Sequence, residues 1–386
     1  LNLALKKRVR LGDRMNKKLG LFIYCLGHLL VDGACCLVML VSTSAGKENV
    51  HSFAMAIVLY NTMAFALQPF FGILTDKIGR TNIIAFCGCV LVAGSALLMH
   101  SPFVAAVAAG LGNAMFHTGG GAFSLNLDRS KAAYAGLFVA PGAVGLFVGG
   151  LAAQTMVFRP WFVILPMALV ALLVLPIPHL PCSYPNTVKM KNRNVTLLPL
   201  LLLLLVITLR AVIGSVGVYP WKSTNIAGLL MVISIALGKA AGGILSDWAG
   251  RRNTTVLALL LSAPLLAFFE TSIVASLAGL FLFNLTMAVT VTEIADHLQG
   301  YSGFAFGLTT LALIMGTYFI YLGWGGFFAP PWITFICIVL SAIMMFVSIP
   351  ADGKKYSQTG RRNHEKESVQ SSMQLNFRDD DAFINR

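Results

Sequence analysis

The chain alternates long apolar runs with short polar or Pro/Gly-rich breaks, and the runs recur at about the 20 residues that a helix needs to cross ~30 Å of hydrocarbon. Read this way, the pattern predicts twelve membrane-spanning helices. Six cover residues 19–43, 51–74, 82–99, 102–125, 132–156 and 160–178; six more cover 196–218, 223–246, 254–270, 272–293, 300–322 and 327–349. The expected organisation is a basic N-terminal segment (1–18), a six-helix bundle (19–178), a polar linker (179–195), a second six-helix bundle (196–349) and a polar tail (350–386) without fixed structure. The first apolar run is longer than a signal-peptide core and no A-x-A site follows it, so it is expected to stay as a span.

Composition agrees: 57% of residues are hydrophobic and 11% charged, against about 25% charged in soluble domains. An ordinary soluble enzyme is excluded. The net charge of +13 would suggest nucleic-acid binding in a soluble chain, but here the basic residues mark topology. With the N-terminus inside, 23 Lys and Arg fall in inner segments and three (Lys47, Arg159, Lys222) in outer loops, a bias that predicts both termini in the cytoplasm of an inner-membrane protein. Nucleic acid is therefore not an expected partner; lipid, protons and a small molecule are, and the chain is expected to act as a monomer. Six of the seven cysteines lie in apolar runs without metal-binding spacing, so they read as packing residues and no metal or cofactor is expected.

Internal repetition carries more information. GILTDKIGRTN (Gly72–Asn82) between spans two and three returns as GILSDWAGRRN (Gly243–Asn253) between spans eight and nine, identical at seven of eleven positions. The pair resembles the G-x-L-x-D-x-x-G-R signature loop of the major facilitator superfamily. That resemblance implies an all-α membrane protein with twelve transmembrane helices in two pseudo-symmetric six-helix bundles, and a central cavity lined by spans one, four, seven and ten. A narrower likeness is to the fosmidomycin-resistance family, in Gly110–Gly121, Ala140–Gly150 and Leu237–Asp247. Span five carries Pro141 among several glycines, but without the Gly-Pro order of the superfamily's antiporters.

In each signature loop the glycines (Gly72, Gly79; Gly243, Gly250) allow close approach and a tight reversal. The acids Asp76 and Asp247 have two available partners: the positive end of a neighbouring helix, or the loop arginines Arg80 and Arg251. By resemblance, these eight residues gate the cytoplasmic side as the halves rock.

Ionisable residues inside a membrane cost about 2.5 to 3.5 kcal/mol on insertion scales, so each marks a partner, a watery cavity or a function. His28 and Asp32 stand four apart in span one and share a face, as do Asn113 and His117 in span four. Arg210 lies in span seven at a depth matching Asp32, and Asn284, Thr286 and Thr290 lie in span ten. Asp32 with His28 is the proton-coupling candidate: a carboxylate in hydrocarbon holds its proton and one beside a cation releases it. Arg210, with Asn113 and His117, is the substrate-binding candidate, since a guanidinium grips carboxylate or phosphonate through two bonds. Structural packing stays open for each of them, and an Asp32–Arg210 pair across the cavity is geometrically allowed. Lys239 is expected to snorkel to the cytoplasmic surface, and Glu270 and Glu293 to lie at the interface, with Glu293 also placed to extend the polar path at the cytoplasmic end of span ten.

No GxxxxGK[ST] is present, which points to a gradient as the energy source, and no nucleophile–base pair suggests catalysis. The leading expectation is a secondary transporter that exports a small organic compound, a drug or an anionic metabolite, in exchange for protons by alternating access. Symport or facilitated uptake of a small organic anion is the alternative.

Overall fold

A computed structural model describes residues 2–45, 50–155, 157–177 and 197–351; the predicted linker, and the predicted tail beyond residue 351, fall outside it. The described chain is helical and follows the twelve predicted runs. In the first half, α1 is Asn2–Ala45, α2 runs from Val50 to Ile78 in three pieces (Val50–Asn61, a π-helical turn Thr62–Ala66, and Gln68–Ile78), α3 is Thr81–Ser95, α4 Pro102–Leu127, α5 Ala133–Thr155 and α6 Trp161–Val174. In the second half, α7 is Leu197–Val216, α8 Asn225–Ala249, α9 Arg251–Phe268, α10 is Ile273–Asn284 followed by Thr286–His297, α11 Ser302–Tyr321 and α12 Pro331–Ser348, preceded by the short turn Gly325–Phe328. Eight of these stretches are long and apolar enough to cross a membrane, and α3 and α6 are shorter apolar helices. The largest extension beyond expectation is α1, which runs back through the Lys- and Arg-rich segment, residues that themselves favour helix.

Helix breaks follow from local chemistry. Pro102 and Pro331 stand in first turns, where a missing N–H costs nothing, and the Thr224 and Ser272 side chains accept from Ala227 N and Ala275 N to cap α8 and the first part of α10. Gly79 and Gly250 adopt φ of 69° and 90° at the two signature loops, a left-handed backbone that side chains resist. Pro69 has no N–H to give the Phe65 carbonyl, and that oxygen accepts instead from Thr310 Oγ1 of α11 at 3.3 Å. Pro141 frees the Leu137 carbonyl in the same way, and Cys25 Sγ of α1 donates to it at 3.3 Å. Proline thus converts two backbone bonds into tertiary ones.

Two apolar cores result. One, in the first half, is built around Tyr24, Phe116, Phe123 and Phe138; the other, in the second half, around Leu203, Leu259, Ile294 and Ile338. The halves meet along α2–α11 and α5–α8. At the signature-loop end the backbones touch: a Cβ on Gly72 would overlap the Gly303 carbonyl, and one on Gly243 the Ala132 carbonyl. Farther along, α2 and α11 meet again through Asn61 Nδ2 donating to Tyr321 OH at 2.7 Å and a Thr62–Tyr318 hydroxyl pair.

Candidate functional site

The signature loops are built as interhalf clasps. Asp76 accepts from the backbone N–H of Gly303 and Phe304, both at 2.8 Å, at the start of α11. Asp247 accepts from Ala132 and Ala133 N at 2.8 and 3.0 Å, at the start of α5. Each acid therefore takes the helix end open to it, in the opposite half, where unsatisfied N–H groups and the helix dipole favour negative charge. The arginines differ. Arg80 is exposed, whereas Arg251 Nη1 pairs with Glu293 at 2.9 Å and Asp296 at 2.6 Å on α10. Glu293, expected at the interface, is 4% exposed and is the buried member of this otherwise half-buried triad.

Deeper in the first half, α1, α4 and α5 bring four polar residues together. His28 Nε2 lies 3.2 Å from Asp32 Oδ2, His117 Nε2 lies 3.4 Å from Asp32 Oδ1, and Asn113 Nδ2 donates to Asp32 Oδ1 at 2.9 Å. The two Nε2 atoms are 2.8 Å apart. Outward from the cluster, His28 Nδ1 meets the Phe138 carbonyl at 2.6 Å and His117 Nδ1 the Asn113 carbonyl at 2.8 Å. All four residues are buried. Gly142 of α5 roofs them, since a Cβ there would overlap both the His28 ring and the Asp32 carboxylate. His28, Asp32 and His117 offer donor atoms within 4.8 Å of one another. The nitrogens stand closer, however, than the roughly 3.3 Å that two imidazoles keep on a tetrahedral ion with bonds of about 2.0–2.1 Å, a spacing that suits a hydrogen better than a metal.

Arg210 lies elsewhere. It lines a cavity of about 230 Å³ in the second half, walled by α7, α8, α10 and α11 and closed from the first half by Val139 of α5. The guanidinium sits 5.3 Å over the Phe283 ring, and its Nε is buried without a hydrogen-bond partner. Lys239 of α8 lines the same cavity instead of reaching the loop-end surface, as do Asn284, Thr290, Thr309 and Thr310. Tyr219, in the loop before α8, completes the wall; burial, reinforced by the charge of Glu270, pushes its phenol up to about 12, so it stays a hydrogen-bond donor. Among the described residues neither Arg210 nor Lys239 has an ion-pair partner, and the Asp32–Arg210 pair that the matching depths allow is not formed. Asn113 and His117 are placed with Asp32, not on the wall around Arg210.

The fold of the two bundles matches that of known transporters. The fold is the major facilitator fold. The E. coli fucose:proton symporter FucP, in a singly substituted form, superposes with a TM-score of 0.64 at 13% identity over 86% of this chain and 98% of that one. FucP in the outward conformation gives 0.64 at 14% over 87% and 100%, and the human organic anion transporter MFSD10 gives 0.64 at 14% over 86% and 98%. No protein-family model matches the chain and no curated protein matches it by sequence. In major facilitator terms, α1, α4, α7 and α10 supply the acid–imidazole cluster, Arg210 and Asn284. The narrower fosmidomycin-resistance likeness rests on its sequence segments alone.

What the sequence missed is the grouping. Four-residue spacing identified two polar faces, on α1 and α4, but not that they face each other, nor that Lys239 shares the cavity of Arg210. A lysine ten residues inside the end of α8, deeper than its side chain reaches, was the available signal.

Proposed function

We propose that the chain is a proton-coupled secondary transporter of a small organic anion, acting as a monomer by alternating access in the inner membrane, with both termini cytoplasmic. The observation that carries this is the pair of cations, Arg210 and Lys239, without ion-pair partners in a cavity otherwise walled mainly by apolar side chains. A buried charge without a partner is costly, and an anionic substrate with an apolar body supplies the partner while filling the rest of the space. Arg210 offers a planar fork for carboxylate or phosphonate, held against Phe283; Lys239 offers a point charge from the facing helix.

Protons enter through Asp32, with His28 as its partner. Lys239 feels the Asp32 carboxylate without being paired to it, which leaves its amine free to serve the substrate. A proton arriving at the cluster adds positive charge beside the cavity and weakens the hold of Asp32 on Lys239. Proton and anion then bind together, which favours symport. Export in exchange for protons, the leading expectation from the sequence, needs the two ligands to compete, and the sign of these charges opposes competition for an anion. The signature-loop residues gate the process: Gly72 and Gly243 let the halves touch, Asp76 and Asp247 clasp them, and Gly79, Arg80, Gly250 and Arg251 shape the reversals.

The test is flux in proteoliposomes under an imposed pH gradient, screening organic carboxylates, phosphonates and lipophilic cations. Anion movement in the direction of proton flow, lost in Asp32→Asn and Arg210→Ala, is expected. Movement of a substrate against proton flow returns the assignment to exchange, and normal anion transport by Arg210→Ala removes Arg210 from the substrate site.

A further inference from the structure

The histidine contacts fix a count of hydrogens. A carbonyl oxygen only accepts, so Nδ1 of His28, facing the Phe138 carbonyl at 2.6 Å, carries a hydrogen, and so does Nδ1 of His117, facing the Asn113 carbonyl at 2.8 Å. Were both rings neutral, each would then have a bare Nε2 lone pair, and these lone pairs would meet at 2.8 Å. Were both rings charged, two N–H groups would collide at the same distance. The contact is attractive only with one hydrogen between the Nε2 atoms. Two rings therefore carry three hydrogens, which makes one imidazole and one imidazolium.

We propose that His28 and His117 hold a single shared proton between their Nε2 atoms, with the Asp32 carboxylate as its counter-ion. The surroundings fit that charge state. Asp32 presents one oxygen to each ring, at 3.2 and 3.4 Å, so it neutralises the pair wherever the proton sits. Asn113 Nδ2 donates to one of those oxygens, which keeps Asp32 an acceptor. The rings are nearly perpendicular, at 85° with centroids 4.4 Å apart, so they meet without stacking. Lys239 acts on both Asp32 and His117 from across the half-interface, and Cys35, Cys36 and Tyr60 are the other titratable groups that feel Asp32.

His117 becomes an equal partner in the proton site, and the site takes one proton, not one for each titratable side chain. The use of that proton in transport rests on the function proposed above; its position does not.

Nitrogen NMR of the full chain in lipid nanodiscs, labelled with ¹⁵N-histidine, reads which ring nitrogens carry hydrogens. The chain has seven histidines, and His28→Gln and His117→Gln assign the two signals. At neutral pH both rings are expected to have protonated Nδ1, with one hydrogen exchanging between the two Nε2 atoms, and either substitution should abolish the shared signature of the remaining ring. If one variant fails to fold, the other still assigns its own ring in the spectrum of the unsubstituted chain, and the second ring is read as the one that shares or fails to share its hydrogen. A bare Nδ1 on either ring, or two Nε2 atoms that titrate independently, overturns the proposal. So does one equivalent of ZnCl₂ that captures both Nε2 signals at neutral pH, which would make the cluster a metal site. No substrate is needed, so this measurement can fail while the transport assignment stands, and the reverse.

Discussion

The two halves share a fold and a signature loop but divide the chemistry between them. In the first half the intramembrane charge is closed on itself: an acid meets two imidazoles and an amide N–H under the roof of Gly142. In the second half it is left open, with Arg210 and Lys239 facing a cavity. The loops show the same division on a smaller scale. Asp76 and Asp247 perform the same act on opposite halves, yet Arg251 is locked to two acids while Arg80 is exposed. What closes the molecule is thus common to both halves, whereas the intramembrane charges differ between them; in the function proposed above, one half holds the proton and the other the anion.

The largest expected effect separates the two arginines. Arg251→Ala leaves the buried Glu293 and the half-buried Asp296 beside each other without their arginine and should destabilise the protein by up to about 3 kcal/mol, read as a large fall in thermal unfolding temperature in detergent. Arg80→Ala should leave that temperature unchanged. Equal losses would show that Arg80 has an equivalent partner and that the loops are energetically symmetric.

Next come the cavity cations. Removing Arg210 or Lys239 deletes a charge-assisted contact of ~1.5–3 kcal/mol, so each alanine or glutamine variant should weaken anion affinity by roughly 10- to 100-fold. Lys239→Gln should also flatten the dependence of that affinity on pH, because it removes the group that answers to Asp32. If Lys239→Gln weakens affinity but leaves the pH dependence intact, proton and anion communicate by another route.

A smaller effect ranks the clasps. Asp76 is 1% exposed and its counterpart in the second copy, Asp247, is exposed, so Asp76→Asn should open the loop end more than Asp247→Asn does. Cysteine accessibility on the inner side of α11 and α5 measures it, with helix-end electrostatics of up to ~2 kcal/mol setting the ceiling for Asp76. Gly72→Leu and Gly243→Leu sharpen the same comparison sterically, since both glycines face backbone that cannot retreat without separating the halves.

Much of this was legible in the chain. Run length and hydropathy give twelve helices because a bilayer allows few other solutions for an apolar backbone, and the repeated Gly72–Asn82 and Gly243–Asn253 segments give two related halves. The same logic singles out Asp32, His28, His117 and Arg210, since a membrane tolerates few charges without a reason. What the sequence by itself determined, then, was the set of helices, their grouping into halves and the short roster of residues that do not belong in hydrocarbon. Tertiary structure alone decided who meets whom. Spacing along one helix fixes which side chains share a face, but the partner of that face depends on interhelical packing. His28 meets His117 because α1 packs on α4 and α5, and Lys239 joins Arg210 because α8 borders the same cavity as α7. Asp76 finds the start of α11, not Arg80, because Gly72 and Gly303 let two backbones from opposite halves come into contact.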